Sequence, residues 1–170
     1  PQESERTTAE GELAIVIGKR CRNVGREAAA SCIAGYASAI DVTADDIHQR
    51  NPRFLTRAKS FDTFFSFGPV LLTPDEFPKL GDVVVETVIN GEVVHRNRVA
   101  NMRFHPHQIV AFHSRVMTLL PGDVILTGTP GAAVIRDGDL AECRIAGHVS
   151  LANRVVDLKR NQTNSKDVIA

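Results

Sequence analysis

Two glutamates, Glu10 and Glu12, stand one residue apart at the head of an apolar run that continues to Ile17. A run of this kind predicts a buried strand. Because side chains alternate between the two faces of a strand, both carboxylates project from the same face. Like charges this close repel each other, and a divalent cation that takes oxygen ligands removes the repulsion. The alternative is a solvated strand end, which is the commoner position for such glutamates.

Asp41 is the first candidate partner for the two glutamates. It ends a second apolar run, and buried carboxylates seldom lack a partner. If the chain forms a strand, a helix and a returning strand between Glu12 and Asp41, the three carboxylates meet on one sheet. Such a set suits Mg²⁺, Mn²⁺ or Ca²⁺. The alternative is that Asp41 caps a turn with Thr43.

Three further features could act on a substrate beside such a metal. Lys59 could bind a substrate carboxylate or an enolate oxygen, and His48, in a polar segment, could serve as an acid or a base. The turn of residues 127–131, Thr-Gly-Thr-Pro-Gly, follows a predicted strand, and its hydroxyls and free backbone N–H groups suit an anionic oxygen. Gly128 and Thr129 are its candidate substrate-binding residues. The alternatives are a solvated lysine and an ordinary turn.

The composition excludes several classes of protein. The chain has 170 residues, 43% of them hydrophobic and 24% charged, which fits one globular domain. Twenty basic and twenty acidic residues cancel, so no net charge favours nucleic acid or an acidic membrane. No apolar run is long enough to span a membrane. Three cysteines without C-x-x-C spacing and a polar N-terminus without a signal-peptide pattern predict a cytoplasmic protein.

The elements that must position these residues are mostly short strands joined by glycine turns. This pattern predicts an α+β, mainly β domain over residues 10–158, between a polar segment at 1–9 and a polar tail at 159–170. The predicted strands lie at 12–17, 36–42, 83–89, 92–95, 124–126, 140–145 and 149–156, with Asn90-Gly91 as a hairpin turn. The predicted helices lie at 26–35, closed by Gly35, and at 107–120, and residues 45–57 form a loop or a broken helix.

Several stretches in this order resemble the fumarylacetoacetate hydrolase family, specifically its C-terminal catalytic domain. No single stretch is decisive, but the ordered series is specific and spans most of residues 10–156. The stretches are EGELAIVIG at 10–18, residues 34–43, AKSFD at 58–62 with Gly68-Pro69, VINGE at 88–92, and PGDVILTGTP at 121–130.

The resemblance implies a mixed β-sandwich roll that forms a homodimer. It implies a divalent metal, commonly Mg²⁺, on the residues matching Glu10, Glu12 and Asp41, and a substrate that is a 2-oxo acid or its enol. The residue matching Lys59 would steady the developing enolate, and the residue matching Thr129 would hold the substrate carboxylate. Family reactions include acylpyruvate hydrolysis, oxaloacetate decarboxylation, and isomerisation or decarboxylation of hydroxymuconate-type diacids in aromatic catabolism.

The chain departs from the family pattern at three places. Ile40, Asp45 and His48 stand where members usually carry Asn, Arg and Gln. The chain also begins after the point where many members carry a mobile segment with a His and a Glu. Hydrolysis needs that pair most, so the departures favour an isomerase or decarboxylase of hydroxymuconate or heptadienedioate-type diacids, with His48 as a substitute base. The alternatives are an acylpyruvate or fumarylpyruvate hydrolase and a catalytically silent fold that binds a metabolite.

Overall fold

Two antiparallel sheets and four short helices make up the part of the chain that the structure, a computed structural model, describes: residues 1–53, 55–145 and 147–160. The strands are β1 (Thr7–Ile17), β2 (Ile33–Ala44), β3 (Phe65–Phe67), β4 (Val84–Ile89), β5 (Glu92–Arg98), β6 (Val124–Leu126), β7 (Ala132–Ile135), β8 (Leu140–Ile145) and β9 (Leu151–Arg154). The helices are α1 (Arg26–Ala29), α2 (Asp45–Arg50), α3 (Leu55–Lys59) and α4 (Pro106–Val116), with 3₁₀ turns at Ala30–Cys32, Pro74–Glu76, Leu80–Asp82 and Val99–Asn101.

The first sheet has the order β3-β2-β1-β6, and β7 also pairs with β1; the second has the order β5-β4-β8-β9. Strands β4 and β8 of the second sheet pack against β1 of the first. The prediction of an α+β, mainly β fold is confirmed. The expected mixed roll consists of antiparallel pairs throughout the described strands.

Strand β1 lies at the centre of the first sheet, with β2 on one side and β6 and β7 on the other. Its odd-numbered apolar residues, Ala9, Leu13, Ile15 and Ile17, are buried in the main hydrophobic core. Its even-numbered residues include Glu10, Glu12 and Ala14, and Ala14 packs with two alanines of β2 in a separate small cluster. The period of two therefore directs both glutamates to the face opposite the main core.

Several predicted boundaries are wrong. Strand β1 begins at Thr7 rather than residue 12, and β2 extends beyond 36–42 at both ends. The first helical segment ends before β2 begins at Ile33, so Gly35 lies inside a strand instead of closing a helix. Helix α4 ends at Val116 rather than residue 120, because Met117 has an extended backbone. Strand β9 is shorter than the predicted strand at 149–156.

Other predicted elements are confirmed. The hairpin of β4 and β5 turns at Asn90 and Gly91, which both have positive φ, as this two-residue turn requires. The broken helix of residues 45–57 is the pair α2 and α3. No helix within the described ranges is long and apolar enough to cross a membrane. Residues 161–170, most of the predicted polar tail, lie outside the described residues.

Gly35 gives a test of how tightly β2 packs against the segment that follows β3. A Cβ atom at this position would overlap with the Leu72 carbonyl oxygen, so Gly35→Ala forces the backbone to move. We expect a loss of about 1–3 kcal/mol in the free energy of unfolding, measured by urea denaturation. Gly25→Ala is the matched control, because no atom lies within 4 Å of its Cβ position. Equal effects of the two substitutions would contradict the packing argument.

Candidate functional site

Three carboxylates meet on the face of the first sheet that is turned away from the main core. Glu10 of β1 is directly opposite Asp41 of β2, and Glu12 is two residues further along the same face of β1. One oxygen from each of the three side chains lies within 4.8 Å of the others. The antiparallel register therefore brings together the three acidic residues that the sequence predicts as a metal site.

Lys59, the last residue of α3, extends its ammonium group to this cluster. Its Nζ donates to Asp41 Oδ2 at 2.6 Å, to Thr43 Oγ1 at 2.7 Å and to Glu10 Oε1 at 3.4 Å. The Thr43 hydroxyl in turn donates to Glu10 Oε1 at 3.0 Å. Lys59 and Thr43 thus connect the two carboxylates that face each other across the strands.

Glu12 is held differently from the other two carboxylates. Its side chain is 3% exposed, and its Oε2 accepts a hydrogen bond from the backbone N–H of Gly128 at 2.6 Å. Burial raises the pKa of Glu12 to about 7, with smaller contributions from the charges of Asp41 and Glu10, while the Gly128 N–H and Lys59 act in the opposite direction. Without a cation, Glu12 therefore takes up a proton near neutral pH.

The other charged groups show the same competition between burial and pairing. Burial raises the pKa of Asp41 although its hydrogen bond with Lys59 lowers it. Burial lowers the pKa of Lys59, but the bond and charge of Asp41 and the charge of Glu10 outweigh it, so that the lysine stays protonated. One ammonium faces three carboxylates, which leaves two negative charges when all four groups are ionised.

The donor set fits a hard divalent cation. All three nearby groups offer carboxylate oxygens, the ligands that Mg²⁺, Mn²⁺ and Ca²⁺ prefer, and the excess negative charge matches a charge of two. Within the described ranges, these three carboxylates form the one group of acidic, histidine or cysteine side chains that lie close enough together to hold a metal ion. Glu10, Glu12 and Asp41 would therefore be the ligands.

The turn after β6 lies beside the cluster but is bonded differently from the expectation. The N–H of Gly128, expected to be free, donates to Glu12. The hydroxyl of Thr129 donates to the Gly131 carbonyl at 3.0 Å and accepts from the Gly131 N–H at 3.1 Å. The turn therefore positions a carboxylate of the cluster, and the predicted substrate contact of Thr129 requires its hydroxyl to leave the Gly131 carbonyl.

His48 and Asp45 lie on α2, which directly follows β2. The imidazole of His48 is partly buried and has no hydrogen bond or ion pair with any described residue, so its role as a base stays a prediction. Asp45, at the position where the resemblance implies an arginine, accepts from Arg6 Nε at 2.7 Å and from Gln49 Nε2 at 2.8 Å. This carboxylate is thus paired rather than left facing the acidic cluster.

Two residues that sequence reasoning missed support the glutamates. Thr43 is two residues beyond Asp41, and the strand period that relates Glu10 to Glu12 also places Thr43 on the cluster face. Thr87 of β4 accepts a hydrogen bond from the Gly11 N–H at 2.9 Å. Because a Cβ at Gly11 would lie 2.9 Å from the Glu86 carbonyl oxygen, only glycine allows the two sheets to approach this closely between the glutamates.

The turn after β6 also lines a pocket of about 310 Å³. Gly128 and Thr129 line it together with Arg98, the last residue of β5, and residues of the segment between β5 and α4 that include Arg103. No motif in the sequence points to these two arginines, which lie far along the chain from every predicted site residue.

Comparison with known proteins gives the family of the chain that carries this carboxylate cluster. Residues 1–156 match the family described as fumarylacetoacetate (FAA) hydrolase C-terminal. The chain belongs to this family. The resemblance inferred from the ordered sequence stretches is therefore confirmed.

Solved structures of the fumarylacetoacetate hydrolase family superimpose closely on this chain. A 5-carboxymethyl-2-hydroxymuconate delta-isomerase from Mycobacterium smegmatis has a TM-score of 0.85 and 41% sequence identity, covering 91% of this chain and 60% of that one. A fumarylpyruvate hydrolase from Pseudomonas aeruginosa, solved in complex with Mn²⁺ and pyruvate, has a TM-score of 0.85 and 28% identity, covering 92% of this chain and 68% of that one.

A curated relative carries a third activity in its name. The mitochondrial oxaloacetate tautomerase of Xenopus laevis is 36% identical over 165 residues, which are 92% of this chain and 52% of the tautomerase. The chain thus spans 60% of the isomerase and about half of the tautomerase. The match establishes the family of this chain, but it covers only part of the length of these two relatives.

The raised pKa of Glu12 predicts how the metal-free protein responds to pH. The pKa of Glu12 is 4.5 in the unfolded chain and about 7 in the folded protein, so the folded state holds the Glu12 proton more tightly. The free energy of unfolding therefore contains the full contribution of this group below pH 4.5 and loses it as pH rises through 7. Glu12→Gln cannot ionise. We expect this variant to be more stable than the wild type at pH 8, by at most about 3 kcal/mol, and similar to it at pH 4.5.

Urea unfolding in the presence of a chelator measures this difference. Glu92→Gln, at an exposed glutamate that has no ion pair with any described residue, is the control and should give the same small difference at both pH values. A Glu12→Gln effect that does not change with pH would contradict the assignment of the raised pKa to Glu12.

Proposed function

We propose that this chain is the catalytic domain of a divalent-metal-dependent enzyme that acts on 2-oxo acids or their enols. The observation that carries the proposal is the meeting of Glu10, Glu12 and Asp41 within 4.8 Å of one another, with the Lys59 ammonium 2.6 Å from Asp41. The reaction we favour is isomerisation or decarboxylation of hydroxymuconate or heptadienedioate-type diacids. The similarity to the Mycobacterium smegmatis isomerase supports this choice.

Each residue of the site has a distinct task in this proposal. Glu10, Glu12 and Asp41 hold the cation, with Mg²⁺ the expected ion and Mn²⁺ or Ca²⁺ as substitutes. When bound, a divalent cation supplies Lewis-acid stabilisation of negative charge on the oxygens of a 2-oxo acid. Lys59 donates a charge-assisted hydrogen bond to the enolate oxygen as negative charge develops there.

The remaining residues orient the substrate and move protons. Thr129 donates its hydroxyl to the substrate carboxylate, and Gly128 keeps the turn in place through its bond with Glu12. His48 is the candidate base that exchanges a proton with the carbon next to the keto group. The protein is expected to act as a cytoplasmic homodimer.

Fumarylpyruvate hydrolysis is the second candidate reaction. The similarity to the Pseudomonas aeruginosa hydrolase, solved with Mn²⁺ and pyruvate, favours it. In hydrolysis a water molecule first attacks the acyl carbonyl, and the C–C bond then breaks to release a carboxylic acid and the enolate of pyruvate, which takes up a proton. Both reactions thus need a stabilised enolate, but they differ in their products. Parallel assays with an acylpyruvate and a hydroxymuconate, followed by product analysis, separate them.

Metal binding is tested by thermal unfolding with added Mg²⁺ or Mn²⁺. A ligand that binds only the folded state stabilises it by about 2.7 kcal/mol at one hundred times its Kd, so the unfolding temperature of the wild type should rise. Asp41→Asn and Glu12→Gln should each abolish the rise, although Glu12→Gln stabilises the metal-free protein. Glu92→Gln should retain it. If the cation still raises the unfolding temperature of both site variants, Glu12 and Asp41 are not its ligands.

Lys59→Met separates catalysis from metal binding. The substitution removes a positive charge beside Asp41 and Glu10, so we expect cation binding to be retained or strengthened. Exchange of the substrate C3 protons with D₂O, followed by NMR, should fall by about 10²-fold, because the hydrogen bond to the enolate is lost. If exchange stays at the wild-type rate while the metal is bound, Lys59 has no part in the reaction.

A further inference from the structure

Two phenylalanines of the short strand β3, Phe65 and Phe67, are exposed although they are large and apolar, with exposed fractions of 47% and 48%. Their rings stack on each other, with centroids 5.6 Å apart and planes inclined by 15°. Ser66 between them points to the other face, because its hydroxyl accepts a hydrogen bond from Asn153 of β9 in the second sheet. The two rings therefore lie on the face of the first sheet that is turned away from the main core.

The register of the strands places these rings beside the carboxylate cluster. Phe65 is directly opposite Asp41 of β2, and Asp41 is directly opposite Glu10 of β1. Residues that are directly opposite in antiparallel strands have their side chains on the same face, with Cβ atoms about 5 Å apart. One row of side chains thus crosses three strands from the Phe65 ring to two carboxylates of the cluster.

A second row runs parallel to the first. Phe67 is directly opposite Ala39, and Ala39 is directly opposite Glu12. This row places a single methyl group, that of Ala39, between the Phe67 ring and the third carboxylate. Together the two rows make the stacked rings the border of the cluster on the side of β3.

The order of the strands indicates which part of a substrate would meet the rings. In the proposed function the substrate carboxylate binds Thr129, in the turn after β6. Strand β6 pairs with one edge of β1, whereas β2 and then β3 follow on its other edge. A 2-oxo acid with its carboxylate at the turn and its keto oxygen at the cluster therefore directs its carbon chain across β2 toward Phe65 and Phe67.

Stacked phenyl rings suit a planar, apolar chain. Aromatic rings attract other planar groups by offset stacking or edge contacts, and covering an exposed ring removes apolar surface from water. Neighbouring strands are about 4.8 Å apart, so a chain must cross two such spacings to reach β3 from β1. A chain that ends at C4 is too short to cover the rings.

We propose that Phe65 and Phe67 are specificity-determining residues that bind the planar, apolar chain of a 2-oxo acid, either conjugated or aromatic. This inference rests on the proposed function, because it assigns the 2-oxo acid end of the same substrate to the carboxylate cluster. Hydroxymuconate-type diacids belong to this class through their conjugated carbon chain. The inference predicts that the enzyme distinguishes aryl-substituted from short 2-oxo acids through KM, whereas kcat differs little because the keto end is the same.

A matched pair of substrates tests the inference. 2-Oxo-4-phenylbutanoate and 2-oxobutanoate share the keto acid end and the C3 methylene group, and only the first carries a phenyl ring on C4. Exchange of the C3 protons with D₂O, with Mn²⁺ present, reports enolate formation for both compounds. We expect Phe65→Ala and Phe67→Ala each to raise KM for 2-oxo-4-phenylbutanoate about three- to tenfold, because an aromatic contact is lost. KM for 2-oxobutanoate and kcat for both compounds should stay at wild-type values.

Three controls make the result specific. Phe112→Ala removes a comparably exposed ring from α4 and should leave KM for both compounds unchanged. Phe65→Leu keeps an apolar side chain without the ring and should restore part of the affinity that Phe65→Ala loses. The rise in unfolding temperature with Mn²⁺ identifies the variants that fold and bind metal. If an alanine variant does not show it, the leucine variant at the same position is measured instead and should raise KM for 2-oxo-4-phenylbutanoate about twofold.

The outcomes separate this inference from the proposed function. If the wild type exchanges both compounds and the phenylalanine variants leave KM for 2-oxo-4-phenylbutanoate unchanged, or raise KM equally for both compounds, the specificity role is overturned and the proposed function stands. If the metal-loaded wild type exchanges neither compound, the proposed function fails and the inference falls with it. A rise in KM that is confined to 2-oxo-4-phenylbutanoate supports both.

Discussion

Repulsion among three carboxylates within 4.8 Å is the constraint on which the candidate site depends. The protein offsets only part of it: Lys59 donates to two of the carboxylates, Thr43 to one, and the Gly128 N–H to the third. Burial of Glu12 makes the remaining charge more costly, since its pKa rises to about 7. A proton or a cation must supply the missing charge, and the all-oxygen donor set suits a divalent ion.

The fold can hold the three carboxylates together despite their repulsion because the strands that carry them are paired on both sides. Strand β1 pairs with β2 along its whole length and with β6 and β7 on its other edge. The second sheet approaches the backbone between the two glutamates so closely that position 11 has no room for a side chain. A site built on such central strands keeps its geometry when its charge changes, which is what pre-organisation for a cation requires.

The parts of the site that the sequence predicts are those that follow from the period of a strand. Glu10 and Glu12 share a face by alternation, and a returning strand brings Asp41 beside them. The same period would have indicated Thr43. In contrast, the bond from Gly128 to Glu12 and the contact of Gly35 with Leu72 depend on how distant segments approach each other. No local pattern encodes such distances, and the misplaced end of the first helical segment has the same cause.

The residues that the sequence predicts and those that it does not predict lie in different kinds of structure. The carboxylates and Lys59 lie on β1, β2 and α3, and these regular elements bring them together. Arg98 and Arg103 lie where β5 ends and the chain runs through a short 3₁₀ turn toward α4, a segment without a sequence period. Loops tolerate changes in sequence that central strands do not, so the lining of this pocket can vary while the carboxylate cluster on the central strands stays the same. The period of a strand therefore predicts the acidic cluster, whereas the lining of the pocket follows only from the way in which distant segments pack together.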